Sequence, residues 1–189
     1  MNNLALVLRE QRKYPETEKI LREVLEIDPE MLSSINNLAA VIQLEGRYEE
    51  AEQLLRRMVE LLTKKRGADH PDTLAVTDNI GVMARQLGRH EEAEDMIRKT
   101  LGKMIQILGN EHPTTIICMM NHGFALQSLQ RLDEAEAMFR KALELRIKVF
   151  GKDHPEMLRT LNTIVSLLSR QGRSEEAAAM RFSVEGRYR

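Results

Sequence analysis

An all-α chain, a right-handed α-solenoid of about five helix-turn-helix units, is predicted by two ladders that run in one phase. Pro29, Pro71, Pro113 and Pro155 follow one another at intervals of 42 residues, and Gly46, Gly88, Gln130 and Gly172 keep the same step. No stretch sustains two-residue apolar alternation, so no sheet is expected. A chain written as copies of one unit buries a continuous core by stacking and displays a long surface for binding.

The units fall at about 1–28, 29–67, 68–109, 110–151 and 152–189, a single array over 1–189 that reads as a piece of a longer protein. The first unit is shorter. Asn2-Asn3-Leu4-Ala5 matches Asn36-Asn37-Leu38-Ala39 and Tyr14-Pro15-Glu16 matches Tyr48-Glu49-Glu50, at an offset of 34 residues. Its missing eight residues are assigned to the end of the second helix and its exit loop, so later second helices run about two turns, or roughly 12 Å, further. First helices are expected at about 30–45, 72–87, 114–129 and 156–171, where Leu38, Val41 and Ile42, then Ile80, Met83 and Ala84, recur at helical spacing. Second helices are expected at about 49–65, 91–108, 133–150 and 175–186, with Ala51, Leu54, Leu55, Met58, Leu61 and Leu62 on one face. Proline fits the first turn of a helix, where its missing N–H costs nothing, with the preceding residue as N-cap. Gly67, Gly109 and Gly151 stand where second helices stop, a position suited to a left-handed residue. Gln130 has to make its turn without glycine, and the charged pairs Glu49-Glu50 and Glu91-Glu92 read as solvated, dipole-compatible surface.

Composition narrows the function class. Hydrophobic residues make up 42% and charged residues 30%, with aromatics at 4% and no Trp, so closely packed aliphatic helices form the core. A net charge of −1 gives no global attraction to nucleic acid or anionic membrane, and neither is expected as a partner. No run reaches the 18 or so apolar residues of a membrane span. The one cysteine, Cys118, fits a reducing compartment, and the cytoplasm is the expected location.

Ala39, Gly81 and Gly123 in first helices face Ala51, Ala93, Ala135 and Ala177 in second helices, small residues that let the two helices approach. Together with Gly46-Arg47-Tyr48 and Gly88-Arg89-His90 at the turns, they resemble the tetratricopeptide repeat. The 42-residue form, with Asn36-Asn37-Leu38-Ala39 and Gly67-Ala68-Asp69-His70-Pro71, is similar to the repeats of kinesin light chains and of STAND-type signalling proteins. The resemblance implies a light-chain-like adaptor or a ligand-sensing array. It implies a concave groove lined by first helices in which asparagines contact an extended peptide. Val165 departs from the small-residue pattern and should loosen its helix pairing. Neither end of the chain looks capped, so a structural role by head-to-tail self-association is the alternative.

The candidate peptide-binding residues are Asn36, Asn37, Asn79 and Asn121, with Arg85 and Arg159 as groove cations and Met120 and Phe124 as an apolar wall with Ile117. An amide both donates and accepts, so a row of them can pair with any peptide backbone. Arg9, Arg85, Arg159 and Arg170 against Asp78 and Glu10 make the groove mildly positive, which suits an acidic peptide bearing a bulky apolar residue. The positions that would hold a chaperone-tail carboxylate clamp carry Asn, Asp78 and Met120, so that role is not expected.

No enzyme activity, cofactor or metal is expected. His70, His112 and His154 precede proline in phase, but one repeat apart they cannot share an ion that needs ligands within about 2.2 Å, and capping is the better use. Cys118 and His122 lie four residues apart without an orienting third group, which favours a buried thiol.

Overall fold

The computed structural model describes residues 8, 11–151 and 154–185, the last four by backbone alone. Nine helices are present among them: α1 (Tyr14–Ile27), α2 (Leu32–Leu44), α3 (Tyr48–Arg66), α4 (Pro71–Gln86), α5 (His90–Leu108), α6 (Pro113–Ser128), α7 (Leu132–Phe150), α8 (Pro155–Arg170) and α9 (Ser174–Glu185). No strand occurs among the described residues. The chain forms two compact units, 1–96 and 97–189, with the boundary inside α5. In the first, α1 packs on α2, α2 on α3 and α3 on α4; in the second, α6 packs on α7, α7 on α8 and α8 on α9.

The proline ladder sets the starts of α4, α6 and α8. His70, His112 and His154 are extended N-caps, and each Nδ1 accepts the N–H of the residue after the proline, at 3.1 Å from Asp72 and 3.2 Å from Thr114 and Glu156. This capping satisfies one orphan donor of the first turn. Pro29 behaves differently, because α2 starts only at Leu32. Asp28 still accepts the Glu30 N–H at 3.1 Å, but the helix begins three residues later than the ladder suggests.

That difference corrects the placement of the eight extra residues. α1 has 14 residues and α3 has 19, α2 has 13 and α4 has 16, while the connections between second and first helices keep the same length. Five of the eight therefore lengthen the second helix, by about 7.5 Å, and three lengthen the first. None goes to the loop.

The turns within each pair close by one repeated pattern. Arg47 donates its N–H to Ile42 O at 3.1 Å, Arg89 to Ala84 O at 2.9 Å, Arg131 to Leu126 O at 3.0 Å and Arg173 to Leu168 O at 2.9 Å. The residue before each arginine has positive φ: 78° at Gly46, 77° at Gly88 and 78° at Gly172. Gln130 makes the same turn at φ 60°, and Arg12 does so ahead of α1 at φ 59°. The exits differ from expectation. Gly67 (φ 98°, ψ 158°) and Gly151 (φ 85°, ψ 169°) lie not in the left-handed helical region but in the mirrored extended region open almost only to glycine.

An ion-pair latch joins three of these turns to the preceding second helix. Arg47 Nη1 lies 2.8 Å from Glu18 Oε2, Arg89 pairs with Glu52, and Arg173 pairs with Glu136. The Glu52 and Glu136 side chains are only 9% and 10% exposed, and each also accepts from the arginine one turn on, Arg56 Nε at 2.8 Å and Arg140 Nε at 2.7 Å. Burial opposes their ionisation, but the guanidinium hydrogen bonds outweigh it and hold both carboxyls below the ordinary value. Glu50, expected to be solvated, bonds to Arg22 and Arg47.

The apolar spacing predicts the core well. Leu38, Val41, Ile42, Ala51, Leu55, Leu62, Ile80 and Met83 are buried in the first unit, with Leu54 and Met58 packed against them. In the second unit Phe139 is fully buried, with Met119, Leu126, Ala135 and Leu168 also in the core. Gly123 faces it across the helix pair, and a Cβ there would run into the Phe139 ring. Val165 is buried at the position where other first helices carry Ala or Gly.

Two substitutions test these packing and turn arguments by urea unfolding. Gly123→Ala is expected to destabilise by about 1–3 kcal/mol through overpacking on Phe139, and a neutral result would contradict the close approach. Gln130→Gly relieves the strained backbone and is expected to stabilise by up to about 1 kcal/mol, with a loss of stability as the contrary outcome.

Candidate functional site

A hollow of about 360 Å³ opens in the first unit between α2 and α4, with α3 as its floor. Its floor is aliphatic, from Met58, Leu62 and Val76. Its walls carry Leu32, Ser33 and Asn36 from α2 and Ala75 and Asn79 from α4, small or polar apart from Leu32. Arg66 and Asp72 form an ion pair at its edge. Residues three or four apart on a helix share a face, which is why Ser33 with Asn36 and Ala75 with Asn79 turn toward one space.

The hollow brings together Asn36 and Asn79, one position out of the ladder that aligns Asn37 with Asn79. Asn37 is half-buried and does not line it. Asn36 and Asn79 are exposed, and neither side chain makes a hydrogen bond among the described residues. Asn121 is half-buried and engaged within the protein. The ladder members Asn2 and Asn3, and the cation Arg9 with Glu10, lie outside the described residues.

Arg85 is half-buried, and burial pushes its guanidinium below the ordinary value, an effect the Tyr48 phenol partly offsets. Arg159 is the open cation: its side chain is 80% exposed, with Nη1 at 3.0 Å from Glu156 Oε1. Met120 is 7% exposed and Phe124 half-buried, its ring 5.0 Å from that of Phe139 at 60°. Ile117, at 51%, is therefore the apolar residue of that wall with the most free surface.

One buried charge carried no signal in the residue types alone. Arg146 on α7 is 6% exposed, and its Nη1 donates to Glu156 O at 2.9 Å and Thr160 Oγ1 at 2.6 Å while lying 3.3 Å from Glu156 Oε2. Burial lowers the pKa of its guanidinium, Glu156 works to raise it, and Arg159 adds to the lowering. Aligning the repeats would have revealed it, since Leu62 and Met104 hold the corresponding positions.

Among the described residues no cluster of His, Cys, Asp and Glu is arranged to hold a metal, and the three in-phase histidines act as helix caps. Cys118 is buried, and its thiol donates to Ile97 O at 3.8 Å. No described helix is long and apolar enough to cross a membrane.

The tetratricopeptide repeat family matches residues 1–27, 30–106, 75–145 and 115–180. Among curated proteins, none matches this chain in sequence. Solved structures of the same fold include a kinesin light chain-type protein of Podosopora anserina with nearly identical TPR-like repeats. It is 20% identical, with 98% of this chain and 91% of that one covered and a TM-score of 0.79. BtubC (BKLC) from P. vanneervenii is 18% identical over 97% of this chain and 79% of its own, at a TM-score of 0.77. A Rap protein complexed with Competence and Sporulation Factor reaches 0.78 at 14% identity, over 93% of this chain and 49% of that one. At these identities the likeness speaks for the fold. The proline and glycine ladders, the helix pairs and the family matches agree: the chain belongs to the tetratricopeptide repeat family, in an all-α solenoid fold of the kinesin light chain-like kind.

Proposed function

We propose that this protein is a non-catalytic module that holds an extended segment of a partner protein along its first helices, in the manner of a light-chain-type cytoplasmic adaptor. The observation that carries the reading is the hollow between α2 and α4, where two uncommitted amides stand over an aliphatic floor. Mid-helix asparagine costs helix propensity, and no hydrogen bond among the described residues repays it. Asn36 and Asn79 can together donate to and accept from a peptide backbone, and Met58, Leu62 and Val76 can take an apolar side chain between them. The fold's other examples favour the same use, since the Rap neighbour is a fold of this type complexed with a factor. One array over 1–189 would repeat such sites from unit to unit.

Backbone pairing does not read sequence, so its loss should be uniform. On an array of extended dodecapeptides, Asn36→Ala/Asn79→Ala is expected to weaken every bound peptide about tenfold, at roughly 1 kcal/mol or less for each amide hydrogen bond lost. A folded double variant that binds all of them as the wild type does would overturn this use of the hollow.

A further inference from the structure

The second helices differ in the charge of their ends. A helix C-terminus favours cations, and α3 follows the rule with Lys64, Lys65 and Arg66 in its last turn, as α7 does with Lys148. α1 breaks it. Its last turn has no cation, and Glu23, Glu26 and the C-cap Asp28 surround Ile27, which at 75% is the most exposed large apolar residue among those described. Glu23 and Glu26 are exposed and make no hydrogen bond or ion pair among the described residues. Lys19, one turn before Glu23, sets a single positive charge against them. Two cations of α3 are taken by the loop that follows α1: Lys65 by Glu30 at 2.9 Å and Arg57 by Pro29 O.

The second unit carries the opposite pattern. The stripe that reads Arg57, Leu61 and Lys65 on α3 reads Lys99, Lys103 and Ile107 on α5, and Lys141, Leu145 and Val149 on α7. Ile107 is 47% exposed and Val149 38%, and the three lysines are exposed beside them. From 97 to 108 α5 has no acid, and from 137 to 150 α7 has one, Glu144. The two helices are held on one support, since α6 packs on α7 and Cys118 of α6 bonds to Ile97 O of α5. Lys148 bonds to Glu111 in the loop after α5 and ties the two ends together. Lys141, unlike Arg57 at the same position of α3, makes no hydrogen bond or ion pair among the described residues. A net charge of −1 conceals this separation of an acidic, apolar-tipped end in one unit from a basic, apolar-edged face in the other.

We infer that this chain associates with a second copy of itself through these two surfaces: the end of α1 of one copy docks on the α5 and α7 stripes of another, Ile27 against Ile107 and Val149, and Glu23 and Glu26 against Lys103 and Lys141. The patches are different, so the contact is heterologous and leaves each copy one face of each kind for a further copy. It uses the sides of helices and not the terminal repeats. One apolar knob with a few ion pairs belongs to the small, transient class of interfaces, and salt weakens it.

Sedimentation equilibrium of the full chain, from about 10 μM to 1 mM, reads this directly. The weight-average mass should climb above that of one chain at about 50 mM salt, with association several-fold weaker at about 500 mM. Ile27→Asp, Glu23→Lys/Glu26→Lys and Lys141→Glu/Lys148→Glu all change exposed side chains, and each should weaken association about tenfold. Mixing the two charge-reversed variants should restore it, because each then offers the face that the other lacks. A wild type that keeps the mass of one chain across the series overturns the inference. Association that all three variants retain also overturns it, as does a mixture of the charge variants that stays apart.

Discussion

The buried carboxylates of Glu52 and Glu136 are the contacts on which the repeat geometry depends. Each sits on a second helix, nearly out of solvent, and needs two guanidiniums to remain charged there. One comes from the same helix a turn later. The other comes from the next repeat, from the arginine that directly follows the positive-φ turn residue. The turn therefore does more than reverse the chain, because its backbone aims Arg89 and Arg173 at the preceding pair. Gln130 shows how firmly this geometry is held: lacking glycine, it still adopts φ 60° and keeps the Arg131 to Leu126 bond at 3.0 Å.

This places the adhesive charges on the second helices and their turns and leaves the first helices to face other work. The latch and the aliphatic core fix α2, α3 and α4 without a hydrogen bond from Asn36 or Asn79 among the described residues. Side chains can then vary between repeats with little effect on the backbone that carries them. Leu62 and Arg146 occupy the same position in their units, yet the helices that carry them, α3 and α7, have the same length of 19 residues and the same glycine exit. Between these two helices the backbone is constant, and the buried side chain is where they differ.

Backbone punctuation was legible in the sequence, and so was the core. Pro71, Pro113 and Pro155 marked helix starts within a residue, and the burial of Leu38, Ile42, Ile80 and Met83 followed from spacing alone. The latch was not legible, because Glu52 and Glu50 look alike in a charged run and only the packing of the next turn distinguishes them. The eight extra residues were misplaced for a similar reason: periodicity fixes the length of a unit, and capping decides how the length is divided between helices. At the hollow, asparagine on first helices was legible as a candidate, whereas the lining of the hollow by Asn36 rather than Asn37 beside Asn79 depends on helix rotation, which the ladder does not give. Arg146 was missed because a cation in a charged helix reads as surface.

Buried, ionised glutamates join one repeat to the next, and acid titration of stability probes that link. Their folded pKa lies below the ordinary value of 4.5, so their contribution is fully present above that value and disappears as pH falls through the lowered folded one. Urea unfolding of the wild type and of Glu52→Gln/Glu136→Gln should therefore differ at pH 7, by about 1–3 kcal/mol for each glutamate lost, and converge as pH falls through the lowered folded values. Equal stabilities at pH 7, or a gap that does not narrow in acid, would contradict the latch.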